Sequence, residues 1–279
     1  MEQQLADGLP TLVLGGTGKT GRRVAERLAA RGLPVRIGSR GSEPRFDWED
    51  RSTWPTALRG VGAVYVAYSP DLAAPGAVET VGAFAEMAVH RDVPRLVLLA
   101  GRGEPEAEEA ESVVRSSGAQ LTILRSAWFA QNFSEDFWLD SIMAGEVALP
   151  GGDTPEPFVD ADDIADVAVA VLTDDRHIGE VYELTSPRLL TFAGAVAEIA
   201  KVTGRDIRYV PISVEAYAAS AAEHGVPGEF VGFLTHLFSD VLGRNAYVTD
   251  GVQRALGREP TDFGDFVRGA AASGAWNAG

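Results

Sequence analysis

The chain has 279 residues, of which 46% are hydrophobic and 23% charged, so it can bury a substantial core in one large domain or two small ones. Its formal net charge of −16 repels a phosphate backbone, and we expect no direct binding to nucleic acid. It has no cysteine, which excludes disulfides, thiolate metal sites and cysteine nucleophiles.

The sequence carries no sign of export or of membrane insertion. Residues 1–10 are polar and acidic, without the basic start and apolar segment of a signal peptide. No apolar run reaches the roughly 18 residues that a membrane-spanning helix needs. We therefore expect a cytoplasmic protein without membrane contact, and a homo-oligomer is compatible with the sequence.

The N-terminal half alternates short apolar segments with patterns of helical period. Buried strands are predicted at 11–14, 35–38, 63–67, 96–100 and 120–124, with a further strand just before Phe46. Helices are predicted after the first strand, ending at Gly32, and over 75–89 and 104–117, the last with an acidic outer face. This alternation indicates βαβ units and a doubly wound parallel sheet, which is a Rossmann-type α/β fold.

The C-terminal half is mixed, and no flexible linker precedes it. Asp160 is predicted to be the N-cap of a helix with its apolar stripe at Ile164, Val167, Ala168, Val171 and Leu172. Further helices are predicted over 192–202 and 229–242, with a strand over 207–212 between them. We predict a nucleotide-binding domain over 1–155, whose last elements continue to about 185, and a smaller C-terminal substrate lobe over 186–279 packed on it.

An acidic cluster, DADDIAD at 160–166, has the look of a metal site. Its acids are explained by capping and by the dipole of the helix that they begin, since carboxylates stabilise a helix N-terminus. No histidine or glutamate joins them at metal-ligand spacing. We therefore predict no metal site.

The stretch GGTGKTG at 15–21 is the strongest motif in the chain. An ATP-binding P-loop needs a glycine five residues before its Gly-Lys pair, and that position is Val13. A dinucleotide cradle fits better, because a strand leads into the stretch and an amphipathic helix follows it. A tight turn without a ligand is the alternative. The cofactor-binding candidates in the motif are Gly15, Thr17, Gly18, Lys19, Thr20 and Gly21.

The end of the second strand indicates which dinucleotide is bound. An NAD site carries an acidic side chain there, which bonds the ribose 2′-hydroxyl and repels a 2′-phosphate. This chain has Ser39 and Arg40 instead, and a hydroxyl with a guanidinium suits a phosphate. The residues therefore favour NADP(H) over NAD(H), although an exposed surface arginine is also common.

Other strand ends nominate further contacts, because ligands of doubly wound sheets bind outside the carboxyl ends of the strands. Asp47 and Trp48 follow the strand predicted before Phe46 and are candidates for the adenine. Tyr68 and Gly101 end later strands and are further cofactor candidates. Weaker candidates for a substrate pocket are Trp128, Asn132 and His236, whereas Phe129 and Phe133 are assigned to the core.

The sequence resembles the NmrA-like branch of the atypical short-chain dehydrogenases. The resemblance rests on GGTGKTG at 15–21, VRSSGAQLTILRSAWFAQNF at 114–133, PFVDADDIADVAVAVLTDD at 157–175 and LGREPTDFGDFV at 256–267. It covers nearly the whole chain and implies a Rossmann fold, an NAD(P) site and a small C-terminal lobe. Members of that branch include quinone reductases and redox-sensing regulators without known turnover.

Ordinary short-chain dehydrogenases use a Tyr-x-x-x-Lys pair, in which the tyrosine passes a proton to the carbonyl oxygen as hydride arrives. The pair would fall near positions 103 and 107, where this chain has Gly103 and Ala107. A run of glutamates occupies this region instead. Glu104 or Glu106 is a proton donor if buried, because desolvation raises a carboxyl pKa, but a solvated helix face is the commoner arrangement.

The sequence therefore predicts an NADPH-dependent oxidoreductase that transfers hydride to a small-molecule acceptor, a quinone or another conjugated electron-poor compound. The catalytic residues are not identified. The alternative is a non-enzymatic NADP(H) sensor that acts through protein partners. A nucleotide-sugar epimerase is a weaker third possibility, because that chemistry normally needs the missing tyrosine.

Overall fold

The computed structural model describes residues 8–277, which divide into two units. Unit 1 contains the described residues up to Ser126, with Ala161–Leu184 and Asp250–Glu259. Unit 2 contains Ala127–Asp160, Thr185–Thr249 and the residues from Pro260 onward. The units interleave along the chain, whereas the sequence prediction was of one boundary near 155 to 185.

Unit 1 consists of parallel strands and the helices that connect them. Strands and helices are numbered here in chain order over the whole protein. The strands are β1 Thr11–Leu14, β2 Val35–Gly38, β3 Ala63–Val66, β4 Arg95–Gly101, β5 Gln120–Ser126 and β8 Val181–Leu184. The helices are α1 Lys19–Ala30, α2 Trp54–Ala57, α3 Ala77–His90, α4 Pro105–Ser116, α6 Ala161–Thr173 and α10 Gly251–Leu256.

The six strands form one sheet in the order β2-β1-β3-β4-β5-β8, and every neighbouring pair is parallel. The chain moves outward from β1 to β2 and then crosses to the other side of β1 to form β3. The switch point of the sheet therefore lies between β1 and β3, where ligands of doubly wound sheets bind. This architecture confirms the predicted Rossmann-type α/β fold.

Both faces of the sheet are buried, as the uninterrupted apolar strands require. On one face, Leu12 and Leu14 of β1 pack in a cluster with Val81 and Phe84 of α3 and Val114 of α4. Helices α1 and α6 pack against each other and cover the opposite face. Alternate residues of each strand thus face different helix layers, which fixes the register of the sheet.

Two sequence predictions in unit 1 were wrong. No strand precedes Phe46, since the chain between β2 and β3 consists of turns and the short helix α2. The outer face of α4 is acidic at the exposed Glu108 and Glu109, but the solvated position expected for Glu104 is wrong, because Glu104 is only 6% exposed. Strand β8 had no prediction of its own.

Unit 2 is built from short strands and helices around an aromatic core. Its strands are β6 Glu146–Leu149, β7 Pro155–Glu156, β9 Leu190–Thr191 and β10 Arg208–Pro211. Its helices are α5 Leu139–Ala144, α7 Phe192–Thr203, α8 Val214–Glu223, α9 Gly228–His236 and α11 Phe263–Ala272. β10 pairs with β6 in parallel and β7 pairs with β9 in antiparallel orientation.

Several unit 2 predictions agree with the structure. The strand over 207–212 corresponds to β10, and the helix over 192–202 corresponds to α7, which ends at Gly204 in the left-handed conformation. The helix predicted over 229–242 is correct only to His236, because a π-helical turn over Leu237–Val241 follows it. Helices α5 and α8 had no prediction.

The core of unit 2 confirms the assignment of Phe133, which is fully buried beside Phe158, Phe192 and Phe263. Phe129, also assigned to the core, is only half-buried. The indole N–H of Trp276 donates to the Phe133 carbonyl oxygen at 2.9 Å and ties the end of the described chain to this core. Among residues 8–277, no helix combines the length and hydrophobicity that crossing a bilayer requires.

Candidate nucleotide site

The GGTGKTG stretch forms a tight loop between β1 and α1. Gly15 has a φ of +67°, a conformation that glycine adopts without strain, and its carbonyl oxygen accepts a hydrogen bond from the Gly18 N–H at 2.9 Å. Helix α1 then begins at Lys19 with Gly18 as its N-cap. The loop thereby turns the N-terminus of α1 toward the carboxyl edge of the sheet.

The three spaced glycines have different neighbours. A Cβ atom on Gly15 would lie 3.1 Å from the Cβ of Ala67, just after β3. A Cβ atom on Gly21 would overlap the Gly15 carbonyl oxygen, so this glycine lets α1 pack closely on the loop. A Cβ atom on Gly18 would meet only the Gly15 carbonyl oxygen, at 3.3 Å. Gly18 is therefore exposed and less tightly packed than Gly21, although a side chain there would still require the Gly15 carbonyl oxygen to shift slightly.

The N-terminus of α1 has the properties of an anion site. No side chain caps it, and its first turn contains no acidic residue. Its backbone N–H groups and the positive end of its dipole are the groups that hold a pyrophosphate in dinucleotide folds. Thr17 and Lys19 lie on the same loop, and Thr20 is buried below it. These residues fit the phosphate groups of a dinucleotide.

The loop after β2 presents Arg40 on an ordered backbone. The Ser42 hydroxyl accepts from the Ser39 N–H at 2.9 Å and donates at 2.9 Å to the Ser39 carbonyl oxygen. Arg40 is exposed, and its positive charge lies near enough to the Asp47 carboxylate to help lower the pKa of that group. Ser39 and Arg40 thus lie at the carboxyl end of the strand beside β1, with the arginine side chain available.

Asp47, Trp48 and Tyr68 are brought together by the chain between β2 and β3. The Asp47 carboxylate accepts from Arg45 at 2.7 Å, and this bond holds the pKa of Asp47 below its ordinary value. The ring of Trp48 lies 4.9 Å from the ring of Tyr68 and 4.8 Å from that of Phe46. Trp48 and Tyr68 are half-buried and form one aromatic surface next to the carboxyl end of β3.

Gly101, at the end of β4, contacts a carboxyl group. A Cβ atom at this position would overlap the carboxyl group of Glu104, whose side chain folds back over the strand end. Asp71, in the segment after β3, lies within hydrogen-bonding reach of the same carboxyl group. Burial, together with repulsion from Asp71 and Glu106, raises the pKa of Glu104 to about 9.

Near this edge, a partly buried ionic network joins β5, β8 and α4 with Arg102, the residue after β4. Arg102, whose side chain is 2% exposed, donates to Glu183 at 3.0 Å. Arg125 forms a two-pronged pair with Glu111, with distances of 2.8 and 2.6 Å. The bonds with Glu111 raise the pKa of Arg125. The network compensates the buried charges, and it explains why Glu111 points inward.

The acids of the DADDIAD segment are paired with arginines. Arg27 of α1 donates to Asp162 at 2.5 Å and to Asp166 at 2.6 Å. Arg258 lies 2.7 Å from the buried carboxylate of Asp163 and also bonds Asp166. Within the described residues, no group of three or more potential ligands is arranged to hold a metal ion. Ion pairing thus adds to the capping and dipole roles that the sequence predicted.

The three candidates for a substrate pocket lie in unit 2. Trp128 is half-buried, and the centre of its ring lies 5.8 Å from that of Trp138 and 5.3 Å from that of Phe238. Asn132 is buried, and its backbone carbonyl oxygen accepts a hydrogen bond from the backbone N–H of Trp138 at 3.0 Å. The Nδ1 atom of His236 lies 3.3 Å from the Asp240 carboxylate, one helical turn later. Their role in substrate binding stays a prediction.

Comparison with known proteins places this geometry in a family. Residues 107–266 match the model of the NmrA-like family. The chain belongs to the NmrA-like family. It is 34% identical over 91% of its length to (4-alkanoyl-5-oxo-2,5-dihydrofuran-3-yl)methyl phosphate reductase of Streptomyces griseus, covering 95% of that protein. It is 30% identical over 94% of its length to NAD(P)H azoreductase of Xenophilus azovorans, covering 98% of it.

Solved structures show the same fold. Triphenylmethane reductase of Citrobacter sp., crystallised with NADP(H), aligns with a TM-score of 0.73 at 20% identity, over 94% of this chain and 99% of that one. The negative transcriptional regulator NmrA aligns with a TM-score of 0.67 at 16% identity, over 95% and 96% of the two chains. An enzyme and a regulator thus share the architecture of this NmrA-like protein.

Sequence reasoning missed one member of this NmrA-like site, Asp71. It lies five residues past Val66, the last residue of β3, in a segment that has no recognisable sequence pattern. Glu104 was named as a proton donor only on the condition that it is buried. The signal that was available is Gly101, since a glycine at the end of a buried strand indicates close approach by another group.

Proposed function

We propose that this NmrA-like oxidoreductase uses NADPH to reduce a conjugated, electron-poor small molecule, such as a quinone or an activated alkene. The observation that carries the proposal is the uncapped, acid-free N-terminus of α1 together with the exposed Arg40 at the end of the neighbouring strand. The first suits a pyrophosphate and the second suits a 2′-phosphate. Bound NADPH supplies the hydride, and the protein supplies orientation and a site that excludes water.

The acceptor class follows from what the chain lacks. Its two lysines are Lys19 and Lys201, and neither lies four residues after a tyrosine, so the sequence has no Tyr-x-x-x-Lys motif. A ketone becomes a strongly basic alkoxide when it accepts hydride, and its reduction loses about 10²–10⁴ in rate without a proton donor such as the tyrosine of the Tyr-Lys pair. Acceptors that form a stabilised anion lose far less, which favours quinones and activated alkenes.

The names of the two relatives agree with this chemistry. The Streptomyces griseus relative is named for a dihydrofuranone whose ring alkene carries two carbonyl groups, so hydride addition gives a stabilised dicarbonyl anion. The Xenophilus azovorans relative is named for the reduction of azo compounds, which are also electron-poor and conjugated. Both names support an acceptor of this class for the present chain.

A second candidate is a sensor that binds NADP(H) without turnover and changes its affinity for a protein partner. The shared fold with a negative transcriptional regulator favours it as the alternative. A sensor needs the same cofactor site but no acceptor site. The two functions therefore differ in turnover and not in cofactor affinity.

The experiment is a panel of acceptors incubated with purified protein and NADPH, with loss of reduced-nicotinamide absorbance as the measurement. We expect quinones and activated alkenes to react fastest, simple enones more slowly and unactivated ketones least. Gly18→Val is the control, because it should abolish every rate. Absence of NADPH oxidation across the panel, combined with a partner captured by only one redox form of the cofactor, would establish the sensor instead.

A further inference from the structure

The Glu104 carboxyl group lies over the end of β4 and is withdrawn from solvent. Glu104 is the N-cap residue of α4, yet its side chain makes no capping bond to the first turn of that helix. Only 6% of the residue is exposed, and its carboxyl group fills the space that a Cβ on Gly101 would occupy. Its position is thus set by packing against the strand end and not by the helix that it precedes.

Asp71 completes a pair of carboxyl groups. It is half-buried, and its Oδ1 accepts from the Ala73 N–H at 2.9 Å. Among the described residues, no N–H or hydroxyl group donates to the buried Oε2 of Glu104. Two carboxyl groups within bonding reach attract each other only when one of them is protonated, because a carboxylate has no donor. The pair therefore holds one proton.

The charges around the pair retain that proton. Glu106 adds a further repulsion on Glu104, and Arg102, the nearest basic residue in sequence, bonds to Glu183. Burial raises the pKa of Asp71 as well as that of Glu104. Because interacting carboxyl groups lose their protons in steps that belong to the pair, one proton persists at neutral pH.

The pair lies on the side of the sheet where hydride transfer is expected. Arg40 follows β2, the phosphate cradle follows β1, and the carboxyl pair follows β3 and β4, in the spatial order of the strands. Neighbouring strands are about 4.8 Å apart. A dinucleotide with its 2′-phosphate at Arg40 and its pyrophosphate at α1 therefore extends its other end toward Asp71 and Glu104.

We propose that the Asp71–Glu104 pair is the proton donor of the reaction, with the more exposed Asp71 delivering the proton and Glu104 replacing it. This inference rests on the proposed function. The acceptor gains a hydride with its two electrons and becomes an anion, and the proton of the pair then forms the second new bond to hydrogen. The pair is left doubly ionised and recovers its proton from water.

The proton on the pair is tested without turnover. Infrared difference spectra should show one protonated carboxyl group at pH 7 in the wild-type protein. Glu104→Gln and Asp71→Asn should each remove that signal. Glu109→Gln is the matched control, because Glu109 is exposed on the same helix, and it should keep the signal. Absence of the signal from the wild type would overturn the inference, whatever the protein reduces.

Turnover provides the second readout. Glu104→Gln should lower kcat for an enone about 10²-fold, the lower end of the range for a general acid, and should lower kcat for a quinone less than threefold. The wild-type rate with the enone should fall as pH rises past the ionisation of the pair, and Glu104→Gln should abolish this fall. NADPH affinity should stay unchanged in Glu104→Gln.

Equal losses for both acceptors, or an unchanged pH profile, would overturn the role of the pair while leaving the oxidoreductase function intact. If the wild type and Glu109→Gln both fail to oxidise NADPH with any acceptor, the proposed function has failed and the proton-donor role fails with it. The infrared signal is independent of turnover. If the signal is present but no acceptor is reduced, the pair holds a proton for a structural reason and not as a proton donor.

Discussion

A Cβ atom on Gly21 would overlap the carbonyl group of Gly15, so no side chain fits at this position. Gly18, three residues earlier, has no comparable neighbour, and its φ of −84° suits any residue. Glycines of one motif thus have separate roles. Gly21 lets α1 pack closely on the loop, and we expect Gly18 to leave the helix N-terminus accessible to a ligand.

We therefore predict that Gly18→Val abolishes NADPH binding and lowers the unfolding free energy by about 1 kcal/mol, because valine is a poor residue at the N-cap of α1. Gly21→Val should instead destabilise the fold by about 1–3 kcal/mol or more, because its side chain overpacks the loop. Fluorescence titration and chemical denaturation measure the two effects. Normal NADPH affinity in Gly18→Val would mean that the motif is only a turn.

Arg40 should determine the choice between NADPH and NADH. One charge-assisted hydrogen bond contributes about 1.5–3 kcal/mol, or roughly 10- to 150-fold in affinity. Arg40→Ala should weaken NADPH binding by this factor and leave NADH binding nearly unchanged. Arg31→Ala, which removes an exposed arginine at the other end of α1, is the control. Equal wild-type affinities for the two cofactors would contradict the assignment.

The strand, loop and helix of the predicted phosphate cradle could be read from sequence because their requirements are local. Strand, glycines and helix are contiguous between Thr11 and Ala30, and the structure places them as the spacing indicates. The prediction of a strand before Phe46 was wrong because the apolar residues there are explained by contacts with distant parts of the chain. Phe46 and Trp48 pack with Trp54 and Phe84 beside the sheet. A segment that is buried against helices is as apolar as a buried strand, so composition alone does not distinguish the two.

The carboxyl pair could not be predicted, because it depends on contact between Asp71 and Glu104, which come from different strand ends. Burial of a glutamate in an acidic run also contradicts the usual exposure of that residue. The same limit applies to the DADDIAD segment. Its helix N-terminus was readable from local pattern, whereas its partners, Arg27 and Arg258, are distant in sequence.

Arg258 should be a stabilising residue through its pair with Asp163. The Asp163 side chain is only 1% exposed, so loss of its partner leaves a poorly compensated carboxylate. Because Arg258 itself is 42% exposed, we expect Arg258→Ala to lower the unfolding free energy by about 1–3 kcal/mol, below the full cost of a buried pair. Thermal denaturation of the wild type and Arg258→Ala measures this loss. The same measurement on the wild type with added Mg²⁺ tests whether the acidic segment binds a metal ion. A Tm that rises in Mg²⁺ would indicate a metal site after all.

Glu104 should make the stability of the protein fall as pH rises. Its pKa is raised in the folded state to about 9, so between the ordinary carboxyl range and that value the folded protein holds a proton that the unfolded chain has released. The free energy of unfolding then decreases with pH, by up to about 1.4 kcal/mol per pH unit for one proton. His177 changes the free energy of unfolding in the opposite direction near neutrality, since burial lowers its pKa and the unfolded chain then binds the extra proton.

The difference in unfolding free energy between the wild type and Glu104→Gln isolates the effect of the Glu104 carboxyl group. We expect that difference to grow in favour of Glu104→Gln from pH 6 to pH 9 in urea denaturation, whereas Glu109→Gln should follow the wild type. Parallel curves for wild type and Glu104→Gln would show that Glu104 is ionised in the folded protein, and that the pair carries no proton to donate.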